Sequence, residues 1–186
     1  MVGACLQEQQ WMDQGYGART VSVNLSSVQL EHGNIVKQVE QVLTETNIAP
    51  QMLELEITES IIMKDPQAVI NTLKTLKHMG VMLSVDDFGT GYSSLNYLKK
   101  SPIDASKIDA SFVHDVQTDP DDRAIMKSII ALARNMGLKI VAERVETQAQ
   151  FEILATLGCD YIQSYAVGHP LCASDFEQQF LIKQKR

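Results

Sequence analysis

The chain has 186 residues, of which 45% are hydrophobic and 21% charged, so it carries enough apolar sequence for one core and predicts a single domain over residues 1–186. The formal net charge of −7 argues against a nucleic-acid-binding surface, because binding phosphates requires clustered cations and the one such cluster is the tail Lys183, Lys185 and Arg186. The sequence contains no run of 18 apolar residues, so no membrane-spanning helix is predicted. The three cysteines do not have the spacing of a metal site, which predicts reduced thiols in a cytoplasmic protein.

From residue 21 onward, short β-branched runs alternate with longer amphipathic segments. A short helix is predicted first, at Leu6–Gln14. The strand candidates that follow are Val21–Leu25, Leu53–Ile57, Val81–Asp86, Ala105–Asp109, Lys139–Glu143 and Tyr161–Gln163. The helix candidates that follow are Asn34–Thr46, Pro66–Met79, Pro120–Met136, Thr147–Leu157 and Ser174–Lys183.

Repeated strand–helix units predict an α/β fold with a parallel sheet. A closed (β/α) barrel of the TIM type needs eight strands and typically about 250 residues. Six strands are recognisable in this sequence, and the shortfall is at its front. The sequence therefore predicts an incomplete TIM-like barrel of about six strands.

Polar residues stand at the end of nearly every predicted strand. They are Asn24, Glu56, Asp86 with Asp87, Lys107 with Asp109, Glu143 and Gln163. One such residue is more often a helix cap or a solvated loop residue, but ligands bind at the carboxyl ends of parallel strands and the whole set is expected to converge there. Four carboxylates on one rim need a counter-ion, and hard oxygen ligands suit Mg²⁺ or Mn²⁺.

Several longer motifs resemble the EAL family of cyclic-di-GMP phosphodiesterases. The motifs are Val23-Asn24-Leu25-Ser26, Glu54-Leu55-Glu56-Ile57-Thr58-Glu59-Ser60, Asp86-Asp87-Phe88-Gly89-Thr90-Gly91-Tyr92-Ser93-Ser94-Leu95, Lys107-Ile108-Asp109, Ala142-Glu143-Arg144-Val145-Glu146 and Gln163-Ser164-Tyr165. They occur in the family's order, and the resemblance covers the chain from about Gln7 onward.

The resemblance implies a metal-dependent phosphodiesterase that opens cyclic-di-GMP to the linear dinucleotide pGpG. By matching position, the metal ligands are Asn24, Glu56, Asp86 and Asp87, and the catalytic residues are Glu143 as general base and Lys107 beside the attacking water. Asp109 and Gln163 match further pocket positions, and Glu59 and Glu146 match glutamates that hold the Asp-Asp-Phe-Gly loop. Two metal ions can activate a water and stabilise both oxygens of an in-line displacement, which fits this set.

The sequence departs from the family pattern in three ways. No Glu-Ala-Leu segment is present, so we expect a domain truncated at its N-terminus that lacks the family's first two strands and one glutamate metal ligand. Arg144 and Ser164 stand where the family usually has glycine. Arg144 can crowd Glu143 or pair with it and lower its pKa, and the sequence does not decide between these outcomes.

Two classes of function therefore remain open. In one, the chain is an active phosphodiesterase; in the other, it is a degenerate relative with weak or no hydrolysis that binds nucleotide, metal or a protein of cyclic-di-GMP signalling. Loss of a residue that only hydrogen-bonds to a metal ligand typically costs about 10–100-fold in metal affinity or activity. We therefore favour the degenerate relative, with weak metal binding. An unclosed barrel leaves two strand edges free, which predicts a homodimer or a partner chain over the open edge.

Overall fold

Six parallel strands form one open sheet with the order β1-β2-β3-β4-β5-β6. The structure is a computed structural model that describes residues 1–31, 34–90 and 95–182. The strands are β1 Val21–Asn24, β2 Leu53–Thr58, β3 Met82–Phe88, β4 Ala105–Ile108, β5 Lys139–Val145 and β6 Tyr161–Ser164. The predicted incomplete α/β barrel is confirmed, since all six predicted strands occur and each pairs with its neighbours in sequence.

Helices connect the strands. They are α1 Val2–Asp13, α2 Ser27–Glu31, α3 Ile35–Thr46, α4 Glu59–Lys64, α5 Pro66–His78, α6 Leu95–Lys100, α7 Ala110–His114, α8 Pro120–Asn135, α9 Gln148–Leu157 and α10 Ala173–Phe176. A 3₁₀ turn at Pro50–Met52 precedes β2, and a π-helical turn at Glu177–Leu181 follows α10. Helix α9 begins with the capping box of Thr147 and Gln150, and Gly158 in the left-handed region ends it.

The strand register places the predicted site residues on one face of the sheet. Asn24 lies opposite Glu56, and Ser106 lies opposite both Val85 and Ile140. Side chains alternate along a strand, so every second residue faces the barrel interior. Glu56 and Lys107 belong to this interior set. The other set, such as Leu55 and Ile108, is fully buried beneath the helices and forms the core.

Two β-bulges interrupt this alternation at the carboxyl ends of β3 and β5. In β3 the register shifts between Val85 and Phe88, and in β5 it shifts between Ala142 and Val145. All four of these residues are buried, so two residues lie between core positions where regular alternation allows one. A bulge inserts one extra residue and re-aims the side chains around it.

Two aspartates stabilise the sheet at the amino ends of its strands, and each lies just before a strand. Asp104 accepts a hydrogen bond from the Leu83 N–H and pairs with Lys77 at 2.6 Å. Asp160 repeats the arrangement between β5 and β6, where it accepts from the Ile140 N–H at 2.9 Å and pairs with Lys139 at 3.0 Å. These contacts fix neighbouring strands in register at the amino ends, where residues of such barrels contribute to stability.

The first and last parts of the described chain are in contact. Glu177 accepts hydrogen bonds from Trp11 Nε1 at 3.1 Å and from the Tyr16 hydroxyl at 3.5 Å, and the ring of Phe176 lies 5.4 Å from that of Trp11. Strands β1 and β6 each pair on one side only within the described sheet. Among the described residues, no helix is both long and apolar enough to cross a membrane.

Candidate functional site

A cavity of about 690 Å³ opens at the carboxyl ends of the strands. Five of the predicted site residues line it, namely Asn24, Asp86, Lys107, Glu143 and Gln163. They come from β1, β3, β4, β5 and β6, so the sheet brings to one place residues that are up to 139 positions apart in the sequence. The C-terminal residues Phe176, Phe180 and Leu181 supply an apolar part of the wall.

Lys107 lies at the centre of the polar cluster. It is only 7% exposed, and its Nζ donates to Glu56 Oε2 at 2.8 Å and contacts Glu143 Oε1 at 2.5 Å. Burial alone would lower the pKa of Lys107, but the hydrogen bonds and charges of Glu143 and Glu56 together raise its pKa above the ordinary value. The lysine therefore stays charged and joins β4 to β2 and β5.

Asp86, Asp87 and Asp109 form an acidic group beside this cluster. Asp87 is the extra residue of the β3 bulge, with φ of +55°. Burial raises the pKa of Asp87, and the charges of Asp86, Asp109 and Glu143, with a hydrogen bond to Asp109, add to the rise. The pKa of Asp109 is lowered in spite of burial, because the Ser111 hydroxyl and N–H donate to its carboxylate. Proton or cation binding is thus favoured at Asp87.

Glu59 holds the loop that follows β3. It is 2% exposed, and its Oε2 accepts from the Gly89 N–H at 3.0 Å. Gly89 has φ of +96°, and a side chain there would lie 2.8 Å from Ile129 Cδ1, so glycine is favoured at this position. Glu146 is exposed, and its backbone N–H donates to Gln150 Oε1; among the described residues no hydrogen bond or ion pair joins its carboxylate to this loop. Residues 91–94 of the loop motif, and the basic tail from residue 183, lie outside the described residues.

The oxygen donors suit a hard divalent cation in their chemistry. Asn24, Glu56 and Asp86 stand at the ends of three adjacent strands on the interior face. Among the described residues, however, no three His, Cys, Asp or Glu side chains stand close enough to hold a metal ion. One oxygen of Glu56 is also bonded to Lys107. The donor set therefore fits Mg²⁺ or Mn²⁺ by type, with fewer converging carboxylates than a closed site needs.

The two departures from glycine differ in their structural consequences. Arg144 is the extra residue of the β5 bulge and has φ of +50°, a left-handed conformation that favours glycine. Glu143 contacts Lys107, and the structure shows no ion pair between Arg144 and another described residue. Ser164 has no positive φ, and its hydroxyl donates to Val145 O and accepts from the Ala166 N–H.

Three further residues in the cavity wall were not predicted from the sequence. Tyr165 and His169 stack with ring centroids 4.8 Å apart, and Arg19 lies on the β1 side. Tyr165 follows Gln163 in one of the quoted motifs, which is a signal that points to it. Arg19 and His169 carry no such signal, because their place in the wall depends on how β1 and the C-terminal segment meet.

The family profile described as EAL domain matches residues 1–170. This chain belongs to the EAL domain family. The protein MucR of Pseudomonas aeruginosa, a bifunctional diguanylate cyclase/cyclic di-GMP phosphodiesterase, is 46% identical over 170 residues, which are 91% of this chain and 25% of MucR. The chain thus spans about a quarter of that curated relative.

Solved structures give the same assignment for the EAL fold. The PaMucR phosphodiesterase, solved as a c-di-GMP complex, matches with a TM-score of 0.90 and 44% identity over 94% of this chain and 71% of that chain. BlrP1 of Klebsiella pneumoniae, solved as a manganese/cy-diGMP complex, matches with a TM-score of 0.78 and 28% identity over 88% of this chain and 41% of that chain. EAL domains use divalent metals, and these relatives are described with cyclic-di-GMP bound.

Proposed function

We propose that this chain binds cyclic-di-GMP in the cavity at the carboxyl ends of the strands and hydrolyses it weakly or not at all as an isolated 186-residue chain. The observation that supports the proposal most is the cavity itself, which gathers Asn24, Asp86, Lys107, Glu143 and Gln163. All five match positions that the EAL resemblance gives to metal, substrate or catalysis. Its volume of about 690 Å³ lies within the ordinary range for small-ligand sites.

In this proposal each side chain has a defined task. Asn24, Glu56 and Asp86, with Asp87, would hold Mg²⁺ or Mn²⁺, which when bound would polarise the phosphodiester and activate a water. Glu143 would accept the proton of that water, and Lys107 keeps the carboxylate in place through its 2.5 Å contact. Glu59 positions the β3 loop through Gly89.

Weak or absent turnover follows from the composition of the site. The sequence contains no Glu-Ala-Leu segment, so the glutamate ligand that the family takes from it has no counterpart among these 186 residues. Loss of a ligand should cost at least as much as loss of its outer partner, which is about 10–100-fold. Metal binding is therefore proposed to be weak, and the reaction slow.

An active phosphodiesterase is the alternative that one observation favours. Lys107 already holds Glu56 and Glu143 together, so part of the catalytic arrangement is formed without a bound ligand. Purified chain with cyclic-di-GMP and Mn²⁺, followed by chromatography of pGpG, separates the two proposals. Binding without turnover supports ours. Turnover near that of the MucR EAL domain, abolished by Glu143→Ala, would support the alternative and contradict ours.

We also propose that the open edge associates with a second copy of the chain or with a partner in cyclic-di-GMP signalling. Strand β1 pairs only with β2 and strand β6 only with β5 among the described residues, and unpaired edges recruit further chains. Tyr161 in β6 is 60% exposed, and Val167, which follows the strand, is 71% exposed. Light scattering from dilute to concentrated protein should show a dimer; a monomer at every concentration would refute self-association. The cytoplasmic location remains a prediction from the three unpaired cysteines.

A further inference from the structure

The β5 bulge gives the cavity a cation that the family pattern does not supply. Ala142 and Val145 are buried core residues, and between them stand Glu143, partly buried, and Arg144, exposed. Regular alternation would direct the residue after Glu143 toward the helices. The bulge and the φ of +50° at Arg144 turn it toward the opening instead, and Arg144 lines the cavity.

The bulge in β3 has the same construction. Val85 and Phe88 are buried there, and Asp87 is the left-handed residue at φ of +55°. Asp87 therefore stands in β3 where Arg144 stands in β5. Left-handed non-glycine residues are costly and are concentrated at binding and catalytic sites. Each bulge thus re-aims a side chain at the carboxyl end of its strand, and in β5 that side chain lines the cavity.

A second guanidinium lines the cavity from the β1 side. The Glu8 carboxylate, which is nearly inaccessible, accepts from the Arg19 N–H at 2.8 Å and from Arg19 Nε at 3.3 Å. The guanidinium also lies 5.5 Å above the Trp11 ring. These contacts hold the side chain in one position. The Arg19 side chain is 27% exposed and lines the cavity, so its accessible part can donate to an oxygen of a ligand.

The charge balance of the cavity makes Arg144 the more important of the two arginines for an anionic ligand, because Arg19 is paired with Glu8. Carboxylates dominate the rim around the cavity, and the charge of Lys107 is shared between Glu56 and Glu143. A ligand with phosphate groups would meet repulsion there unless cations oppose it. Among the described residues Arg144 has no ion-pair partner, so its charge is available.

We propose that Arg144 binds a phosphate group of the dinucleotide in this cavity, with Arg19 as a second donor on the β1 side. The inference rests on the proposed binding of cyclic-di-GMP and adds the residues that hold its phosphates. Arginine binds phosphate through a planar fork of donors, which a lysine cannot reproduce. Arg144 is therefore a binding and positioning residue, acting on the substrate phosphate and not on the proton transfer at Glu143.

The test is a binding titration of cyclic-di-GMP with the full chain, in EDTA and again with Ca²⁺, so that turnover does not enter. Arg144→Gln keeps a non-glycine residue at the bulge, and the fold should be retained. Its Kd should be about tenfold higher than that of the unsubstituted chain, because a charged hydrogen bond is lost. Arg144→Lys should fall between the two. The control is Lys127→Gln on an exposed position of α8, which removes the same charge and should leave the Kd unchanged.

Salt supplies a further readout. The Debye length falls to about 3 Å at 1 M salt, so added salt weakens the attraction between Arg144 and a phosphate. The difference in Kd between the Arg144→Gln variant and the unsubstituted chain should therefore shrink as salt is added. Equal Kd values for the two at low salt would overturn the role of Arg144 and leave the proposed function intact. If the unsubstituted chain does not bind cyclic-di-GMP at all, the proposed function fails, and this inference fails with it.

Discussion

Replacement of Lys107 by methionine tests whether the polar cluster at the centre of the sheet holds the fold together. Methionine is an unbranched side chain one atom shorter than lysine, and it removes the charge. Glu56, at 5% exposure, then has no cation beside it, and Glu143 loses its 2.5 Å contact. Breaking a buried pair by removal of one partner costs about 3–5 kcal/mol, and the partial exposure of Glu143 favours the lower end, about 3 kcal/mol. For a chain of this size that corresponds to a fall in Tm of about 6–12 °C.

The measurement is urea unfolding of the variant and of a matched double substitution. Lys107→Met with Glu56→Gln removes the stranded carboxylate along with the lysine, so it should recover part of the loss. The control is Lys139→Met, since Lys139 pairs with Asp160 at an exposed position and should contribute little. A Lys107→Met chain as stable as the unsubstituted one, or a double variant less stable than the single, would refute the account of this cluster.

Three further predictions concern strain, acid stability and metal binding. Arg144→Gly should stabilise the chain by up to about 1 kcal/mol, since relief of a left-handed residue at about 1–2 kcal/mol exceeds the chain entropy that glycine adds; a loss of stability in urea would contradict this. The pKa of Asp160 is lowered despite burial, by the hydrogen bond and charge of Lys139 and by the Ile140 N–H. The ionised Asp160 therefore stabilises the fold above about pH 4, and this stabilisation is lost as the pH falls through the lowered pKa of the folded state. Between about pH 5 and pH 2, the Asp160→Asn variant should lose less stability than the unsubstituted chain. Millimolar Mn²⁺ should raise the Tm of the unsubstituted chain but not that of Asp86→Ala, and equal shifts in both would place the metal elsewhere.

The strands and their polar ends were predictable because their signals are local. A β-branched run such as Leu53–Ile57 that ends in a glutamate shows both the strand and the site residue. The resemblance to the EAL family added the order of the motifs. Short helices such as Ser27–Glu31 and Ala110–His114 were missed, because five residues are too few to show a helical period.

The two β-bulges could be predicted from the sequence only in part. The sequence shows two polar residues at Asp86-Asp87, and the slip in the spacing of buried residues from Val85 to Phe88 is the trace of a bulge. The position of Arg144, where the family usually has glycine, also indicates a bulge, because glycine is favoured where φ is positive. The motif shows that Arg144 departs from the family pattern, but the conformation of Arg144 and its place in the cavity wall depend on how β5 and its neighbours pack.

Contacts across long sequence separations could not be predicted. The bond between Lys107 and Glu56 depends on the register of β2 to β4. The bond between Trp11 and Glu177 joins residues at the two ends of the chain, and no local pattern indicates it. Both contacts result from the way in which the helices and strands pack, and that packing also determines the shape of the cavity.

The central claim is that the cavity binds cyclic-di-GMP while the chain turns it over slowly or not at all. The most direct test is to measure both properties on one preparation: the Kd by titration in Ca²⁺, and pGpG formation by chromatography in Mn²⁺. The account predicts saturable binding that Asp86→Ala weakens, with pGpG formation far below that of the MucR EAL domain. No binding, or turnover equal to that domain and abolished by Glu143→Ala, would contradict it.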